Sequence, residues 1–200
     1  MKCPILTKAT EMFLSLGFKS VTMDDIASEM GISKKTIYQH FSTKPELVKQ
    51  ATLELFESIS CDIDAIRELK KDPIEELFEI KKIVSHHLKN ESPSSIYQLQ
   101  KYYPKIHATL KKKQFEKMDD CVMKNLNEGI GLGLYRKEIS VEAIGRFYFA
   151  GMTSLKDVEL FPGNLFDAKE LQSQYLEYHL RGICTAKGIN KLEQLLKTNS

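Results

Sequence analysis

The chain has 200 residues, of which 42% are apolar and 28% charged, with a formal net charge of +2. That length and apolar content fit one generous domain or two smaller ones, and exclude a disordered or low-complexity chain. The near-neutral balance excludes a general polycation, so any affinity for nucleic acid must come from where the basic groups sit.

Ile5, Leu6, Ala9, Met12, Phe13 and Leu16 recur at helical spacing and predict an amphipathic first helix that stops near Gly17. Phe18 and Val21 follow as a hydrophobic anchor, read as core packing. Thr22 is a good N-cap for a second helix, with Asp24 and Asp25 suited to its positive end. Met23, Ile26, Ala27 and Met30 give that helix one buried face, and Gly31 stands where a left-handed residue ends it. Ser33 then caps a third helix, Lys34 to Phe41, with Ile37 and Phe41 inward and Lys34, Lys35, Gln39 and His40 outward. The pair is a helix-turn-helix whose second helix carries hydrogen-bond donors. Lys2, Lys8, Lys19, Lys34, Lys35, Lys44 and Lys49 only slightly outnumber Glu11, Asp24, Asp25, Glu29 and Glu46 over the first fifty residues. The basic groups cluster, however, around the third helix.

Ala9, Met12, Phe13, Gly17, Phe18, Val21, Thr22, Ile26, Ala27, Gly31, Ile32, Ser33, Thr36, Ile37, Tyr38, His40, Phe41, Lys44 and Leu47 stand in an ordered pattern. That pattern resembles the DNA-binding signature of the tetracycline-repressor (TetR) family. The resemblance covers about the first fifty residues, and one departure is Lys35, where family members often have Gly. It implies a DNA-binding transcriptional regulator, in most cases a repressor.

The third helix is expected to enter a major groove. Lys34 and Lys35 can donate to guanine edges or phosphates, and Gln39 can pair with adenine. Thr36 and Tyr38 carry hydroxyls suited to phosphate oxygens, a role their counterparts commonly have in the resembled family. His40 and Lys44 are placed for backbone contacts, and the helix after Thr22 offers N–H groups to a phosphate.

Thr43, Lys44, Pro45 and Glu46 predict a capping box opening a fourth helix to about Lys70, with Leu47, Ala51, Leu55, Ile59, Ile63 and Ile66 as its stripe. Asp72 and Pro73 open a fifth helix through Leu88. Ser92 to Ser95 interrupts, a short helix runs from Ile96 to Tyr102, and Pro104 starts a long one. Gly129, Gly131 and Gly133 end that helix as a flexible connection; no strand precedes them, so they form no phosphate cradle. Ser140 caps a helix from Val141 to Val158 that is apolar nearly all round and therefore needs covering on every side. Phe161 to Asn164 turns the chain, Asp167 opens the next helix, Gly182 and Gly188 bracket its end, and a last helix lies around Leu192 to Leu196.

The expected fold is all-α: a three-helix DNA-binding domain over 1–48 and a helical effector-binding and dimerisation domain over 49–200. One reading helix spans few base pairs, so two are needed about 34–36 Å apart for half-sites one turn apart. A homodimer on a palindromic operator follows. The resemblance implies that the last two large helices pair as a four-helix bundle, with Ile144, Tyr148, Gly151, Leu155, Leu171, Tyr175 and Tyr178 as candidates.

The resemblance also implies an effector pocket among the fourth to eighth helices. Its candidate lining is Ile59, Ile63, Phe78, Tyr102, Tyr103, His107, Phe115, Met118, Phe147 and Met152, with Tyr103, His107 and Gln114 as polar anchors for a small hydrophobic molecule. For each of these residues plain core is the commoner role, since aromatic and Met side chains at helical spacing are ordinary core.

Cys3, Cys61, Cys121 and Cys184 form no C-x-x-C pair and are expected as reduced thiols, which suits a cytoplasmic protein. No signal-peptide run or membrane span is recognisable. His86–His87 and Lys111–Lys113 are expected on wet faces, and the acid pairs Asp24/Asp25, Glu75/Glu76 and Asp119/Asp120 at helix starts or exposed flanks. No metal site, cofactor motif or catalytic constellation is apparent. Two alternatives stay open: a DNA-binding factor without an effector, architectural or partner-regulated, and an all-α enzyme or carrier using the carboxyl-terminal pocket.

Overall fold

The computed structural model describes residues 1–198. Its helices are α1 (Lys2–Leu16), α2 (Met23–Glu29), α3 (Lys34–Tyr38), α4 (Lys44–Glu68), α5 (Pro73–His87), α6 (Pro93–Tyr102), α7 (Pro104–Gly131), α8 (Val141–Ser154), α9 (Ala168–Ile183) and α10 (Ala186–Thr198). Among the described residues the extended pairing is one isolated antiparallel bridge, Tyr135 to Cys184. The fold is all-α, with an amino-terminal helix-turn-helix and a helical remainder, as expected.

The chain packs as two compact units. Met1–Cys61 joins His86–Gln114 in the first, and Asp62–Ser85 joins the chain from Phe115 onward in the second. The first unit therefore holds more than the predicted head, since α6 and the start of α7 pack with it. Its core runs from Ile5, Ala9 and Phe13 through Ile26, Ile37 and Phe41 to Leu47 and Leu99, all essentially without solvent contact. Each of the Ile, Leu and Phe side chains among them contributes roughly 1.5–3 kcal/mol by leaving water. Phe13 and Phe18 stack with centroids 5.3 Å apart and fix the bend after α1.

The second unit is built on Ile74, Leu126, Tyr135, Leu176, Leu180 and Leu192. Inside it lies a polar cluster of Glu76, Asn125 and Tyr135. Glu76 is buried, and Asn125 Nδ2 donates to its Oε1 at 2.9 Å and to the Pro73 carbonyl at 2.8 Å. Tyr135 Oη donates to Asn125 Oδ1 at 3.1 Å, and burial, the largest cause, pushes that phenol well above its ordinary pKa. Glu75 and Glu76 stand at a helix start, as expected, but for Glu76 that start is buried: α7 covers it, and Asn125 supplies the partner a buried carboxylate requires.

Other boundaries shift for local reasons. Helix α3 ends at Tyr38 rather than Phe41, because His40 N–H turns to the Ile37 carbonyl at 2.9 Å. Helix α8 stops at Ser154 rather than Val158, because Asp157 Oδ1 accepts from Glu159 N–H at 2.9 Å and draws the chain into a new turn. Helix α6 begins at Pro93, ahead of Ile96, since Pro is favoured in a first turn. Helix α10 begins at Ala186, because Thr185 Oγ1 accepts from Gly188 N–H at 3.2 Å; Gly188 lies inside the helix, where a Cβ would overlap the Leu134 carbonyl. The Gly129–Gly133 segment is a bonded turn rather than a flexible connection: Leu134 and Tyr135 N–H both donate to the Gly129 carbonyl, and the Tyr135 ring lies where a Gly129 Cβ would be. Leu16 is exposed, outside the stripe to which its spacing assigned it.

Candidate nucleic-acid interface

Three short-range devices build the head. Thr22 Oγ1 accepts from Asp25 N–H at 3.1 Å while Asp25 Oδ2 accepts from Thr22 N–H at 2.8 Å, a reciprocal box that starts α2. The bond from Thr22 N–H first, and the Thr22 side chain second, hold the Asp25 carboxyl below its usual range. Gly31, at φ +63°, takes the left-handed conformation between the helices. Ser33 Oγ then accepts from Thr36 N–H at 3.1 Å and starts α3.

With Ile37 fully buried, α3 is pinned by one face and presents Lys35, Tyr38 and Gln39 to solvent. These are donors on a short, anchored helix, the arrangement that base-edge and phosphate contacts need. The other candidates are less free. Lys34 Nζ lies 2.6 Å from Asp24 Oδ2, so part of its charge is already answered by α2. The Thr36 hydroxyl shares a 2.8 Å hydrogen bond with Ser33, and His40 is half-buried. Lys44 Nζ donates to the Lys19 carbonyl at 3.1 Å. Burial first, and the Lys19 charge second, push its pKa down. Lys44 is therefore a tether within the head as well as a surface cation. Lys35 makes no ion pair among the described residues.

A family model described as "Bacterial regulatory proteins, tetR family" matches residues 5–51, which span α1 to the first turns of α4. Over those residues the chain carries the DNA-binding domain of the tetR family. The HTH-type transcriptional repressor KstR2 of Mycobacterium tuberculosis is 28% identical over 192 residues, covering 92% of this chain and 93% of that protein. The HTH-type transcriptional activator FasR of Mycolicibacterium smegmatis is 46% identical over 43 residues, 22% of this chain and 20% of that one. A TetR-family regulator structure from Agrobacterium tumefaciens shares the fold with a TM-score of 0.74 at 18% identity, covering 92% of this chain and 97% of that one.

The chain is a DNA-binding transcriptional regulator, and the enzyme-or-carrier alternative is set aside because its relatives are regulators. No helix among the described residues is long and apolar enough to cross a membrane. No group of three or more metal-ligating side chains occurs among them.

The predicted effector residues divide between the units. Ile59, Tyr102, Tyr103, His107 and Gln114 fall in the first; Ile63, Phe78, Phe115, Met118, Phe147 and Met152 fall in the second. Tyr102, Gln114 and Phe147 are exposed. Phe78 belongs to the second core, and Phe115 meets Phe149 edge-on at 5.0 Å. Tyr103 and His107 are half-buried, and burial raises the first pKa and lowers the second. A cleft of about 150 Å³ in the first unit is lined instead by Lys49, Leu53, Lys105, Ile106 and Thr109. It is small beside the roughly 300–1,000 Å³ of ordinary ligand sites.

The dimer candidates also separate. Tyr148 is buried within its own chain, where it stacks near Tyr175 at 6.0 Å and His179 at 4.7 Å. Tyr175 Oη donates to the Phe147 carbonyl at 3.0 Å, and its ring lies where a Gly151 Cβ would be. Tyr148, Gly151 and Tyr175 thus form the α8–α9 seam inside one chain. Beside it, Phe147 is 66% and Tyr178 75% exposed. Neighbouring helix positions point about 100° apart, so the sequence reading assigned Tyr148 outward and Phe147 inward when the helix phase is the reverse.

Proposed function

We propose that this regulator is a repressor that binds a palindromic operator as a homodimer and releases it when a small hydrophobic effector binds. Residues 1–48 would read DNA, and 49–200 would dimerise and respond, even though 86–114 pack with the head. The observation that carries the reading is α3: one face buried through Ile37, the other offering Lys35, Tyr38 and Gln39. Lys34, Thr36, His40 and Lys44 would flank them on the phosphates, with the start of α2 at Thr22.

Homodimerisation is supported by the exposed Phe147 and Tyr178, large apolar rings on helices that already pack together. Ile144, Leu155 and Leu171, all partly buried, would complete the face. Repression is favoured by the full-length similarity to the repressor KstR2, while the activator FasR matches over the head alone. A cytoplasmic location accords with DNA as partner.

The test is selection of genomic fragments by the purified protein, repeated with a panel of small hydrophobic compounds. Retention of a palindromic fragment and its release by a compound that also raises Tm supports the reading. Retention that no compound alters would favour the effector-independent DNA-binding factor.

A further inference from the structure

We propose that Gln98 is a positioning residue for DNA reading: from α6, its carboxamide holds the turn that carries the chain from α1 into α2. The proposal rests on the DNA-binding reading above. Gln98 Oε1 accepts from Lys19 N–H at 2.8 Å and from Ser20 N–H at 3.2 Å. Both amides lie between two helices, where neither helix's own ladder supplies an acceptor. Gly17 has φ +97° and ψ 147°, a conformation close to Gly-only, and a Cβ there would overlap the Gln98 carboxamide. The glycine and the glutamine, distant in sequence, are therefore shaped for one another.

Lys19 is gripped from two more sides. Its carbonyl accepts from Lys44, the first residue of α4, at 3.1 Å, and its ammonium stands 5.2 Å from the ring centroid of Tyr102, one turn along α6 from Gln98. The start of α6 adds a further bond, Ser92 N–H to the Leu14 carbonyl at 2.8 Å. One residue thus joins α6 and α4 to the turn, and Thr22, three residues later, starts the helix on which α3 packs. A shift of α6 would withdraw the Gln98 oxygen and loosen the turn that aims α3, without any change in the groups that touch DNA.

The test compares full-length wild type with Gln98→Ala and Gln98→Glu, using the duplex that wild type retains most tightly from a random-sequence pool. In Gln98→Ala, the amides of Lys19 and Ser20 should exchange about tenfold faster while amides inside α1 and α4 keep their rates. Affinity for the duplex should fall about two- to tenfold, the effect of one modest hydrogen bond, with an unchanged slope of log K against log salt. Gln98→Glu, which keeps an acceptor oxygen, should restore the protection and most of the affinity. Faster exchange with unchanged affinity would overturn the positioning role, and unchanged exchange would overturn the clamp itself. Should Gln98→Ala fail to fold, Gln98→Asn, which draws the carboxamide back by one methylene, is read by the same criteria. If wild type retains no duplex, the DNA reading fails and this role with it, while protection at Lys19 and Ser20 still reports the clamp separately.

Discussion

Lys34 and Asp24 form a 2.6 Å ion pair that joins the first residue of α3 to α2, the helix before it. The Asp24 hydrogen bond is the largest cause holding the Lys34 pKa up, so the lysine is fully charged but partly spoken for. Asp24→Asn should free it for phosphate and remove a like charge from the DNA-facing side. The expected gain in duplex affinity is small, about two- to threefold at low salt and less as salt screens it. A gel-shift titration at two ionic strengths measures it; a loss of affinity would mean that the pair orients Lys34 for binding.

Lys35 is exposed on the same helix and makes no ion pair among the described residues. Its replacement by Ala should weaken duplex binding and lower the salt slope by about 0.9 if it contacts one phosphate. An unchanged slope with weaker binding would instead mark it as a base reader, and its contribution would then vary with the sequence of the duplex. Full retention of affinity across the titration removes Lys35 from the interface.

The buried cluster of Glu76, Asn125 and Tyr135 makes a separate prediction about stability. Asn125→Ala strips partners from a carboxylate, a phenol and the Pro73 carbonyl at once. The cost should be about 1–3 kcal/mol for each polar group that finds no water, read from the shift of the urea midpoint. Tyr135→Phe, which removes one donor, should cost less. Equal effects would mean that the Asn125 bonds to Glu76 and Pro73 add nothing to stability.

His179 provides a pH signature. Burial beside Tyr148 and Tyr175 pushes its pKa down from 6.5 to about 4. The unfolded chain binds this proton more readily than the folded one, so the contribution is complete above pH 6.5 and is lost as pH falls towards about 4. Its size is on the order of 3 kcal/mol. His107, also lowered by burial, adds in the same direction. Chemical denaturation from pH 7 to 4 should show the decline, and His179→Phe should flatten most of it. A variant with an unchanged acid limb would place the effect elsewhere.

The head was legible in sequence because its devices are local. Thr22 with Asp25, Gly31, and Ser33 with Thr36 each act within a few residues, and all do what their spacing implies. What escaped was held by distant partners. Gln98 reaches Lys19 across 79 positions, and Glu76 meets Asn125 across 49, with no local pattern to announce either. Helix phase was the other blind spot: in an all-apolar stretch such as Phe147–Tyr148–Phe149, periodicity does not say which ring faces inward. Packing by α9, through Tyr175, decides it. The effector lining was illegible for a related reason, since aromatic and Met side chains at helical spacing serve a core and a pocket alike.

The most direct measurement is a hydroxyl-radical footprint of the purified regulator on its best selected duplex. Two protected patches should appear on one face of the DNA, one helical turn or a multiple of it apart, and Lys35→Ala should weaken both together. A protein that selects no duplex above background, or that protects a single isolated patch as a monomer, would contradict a paired reading head.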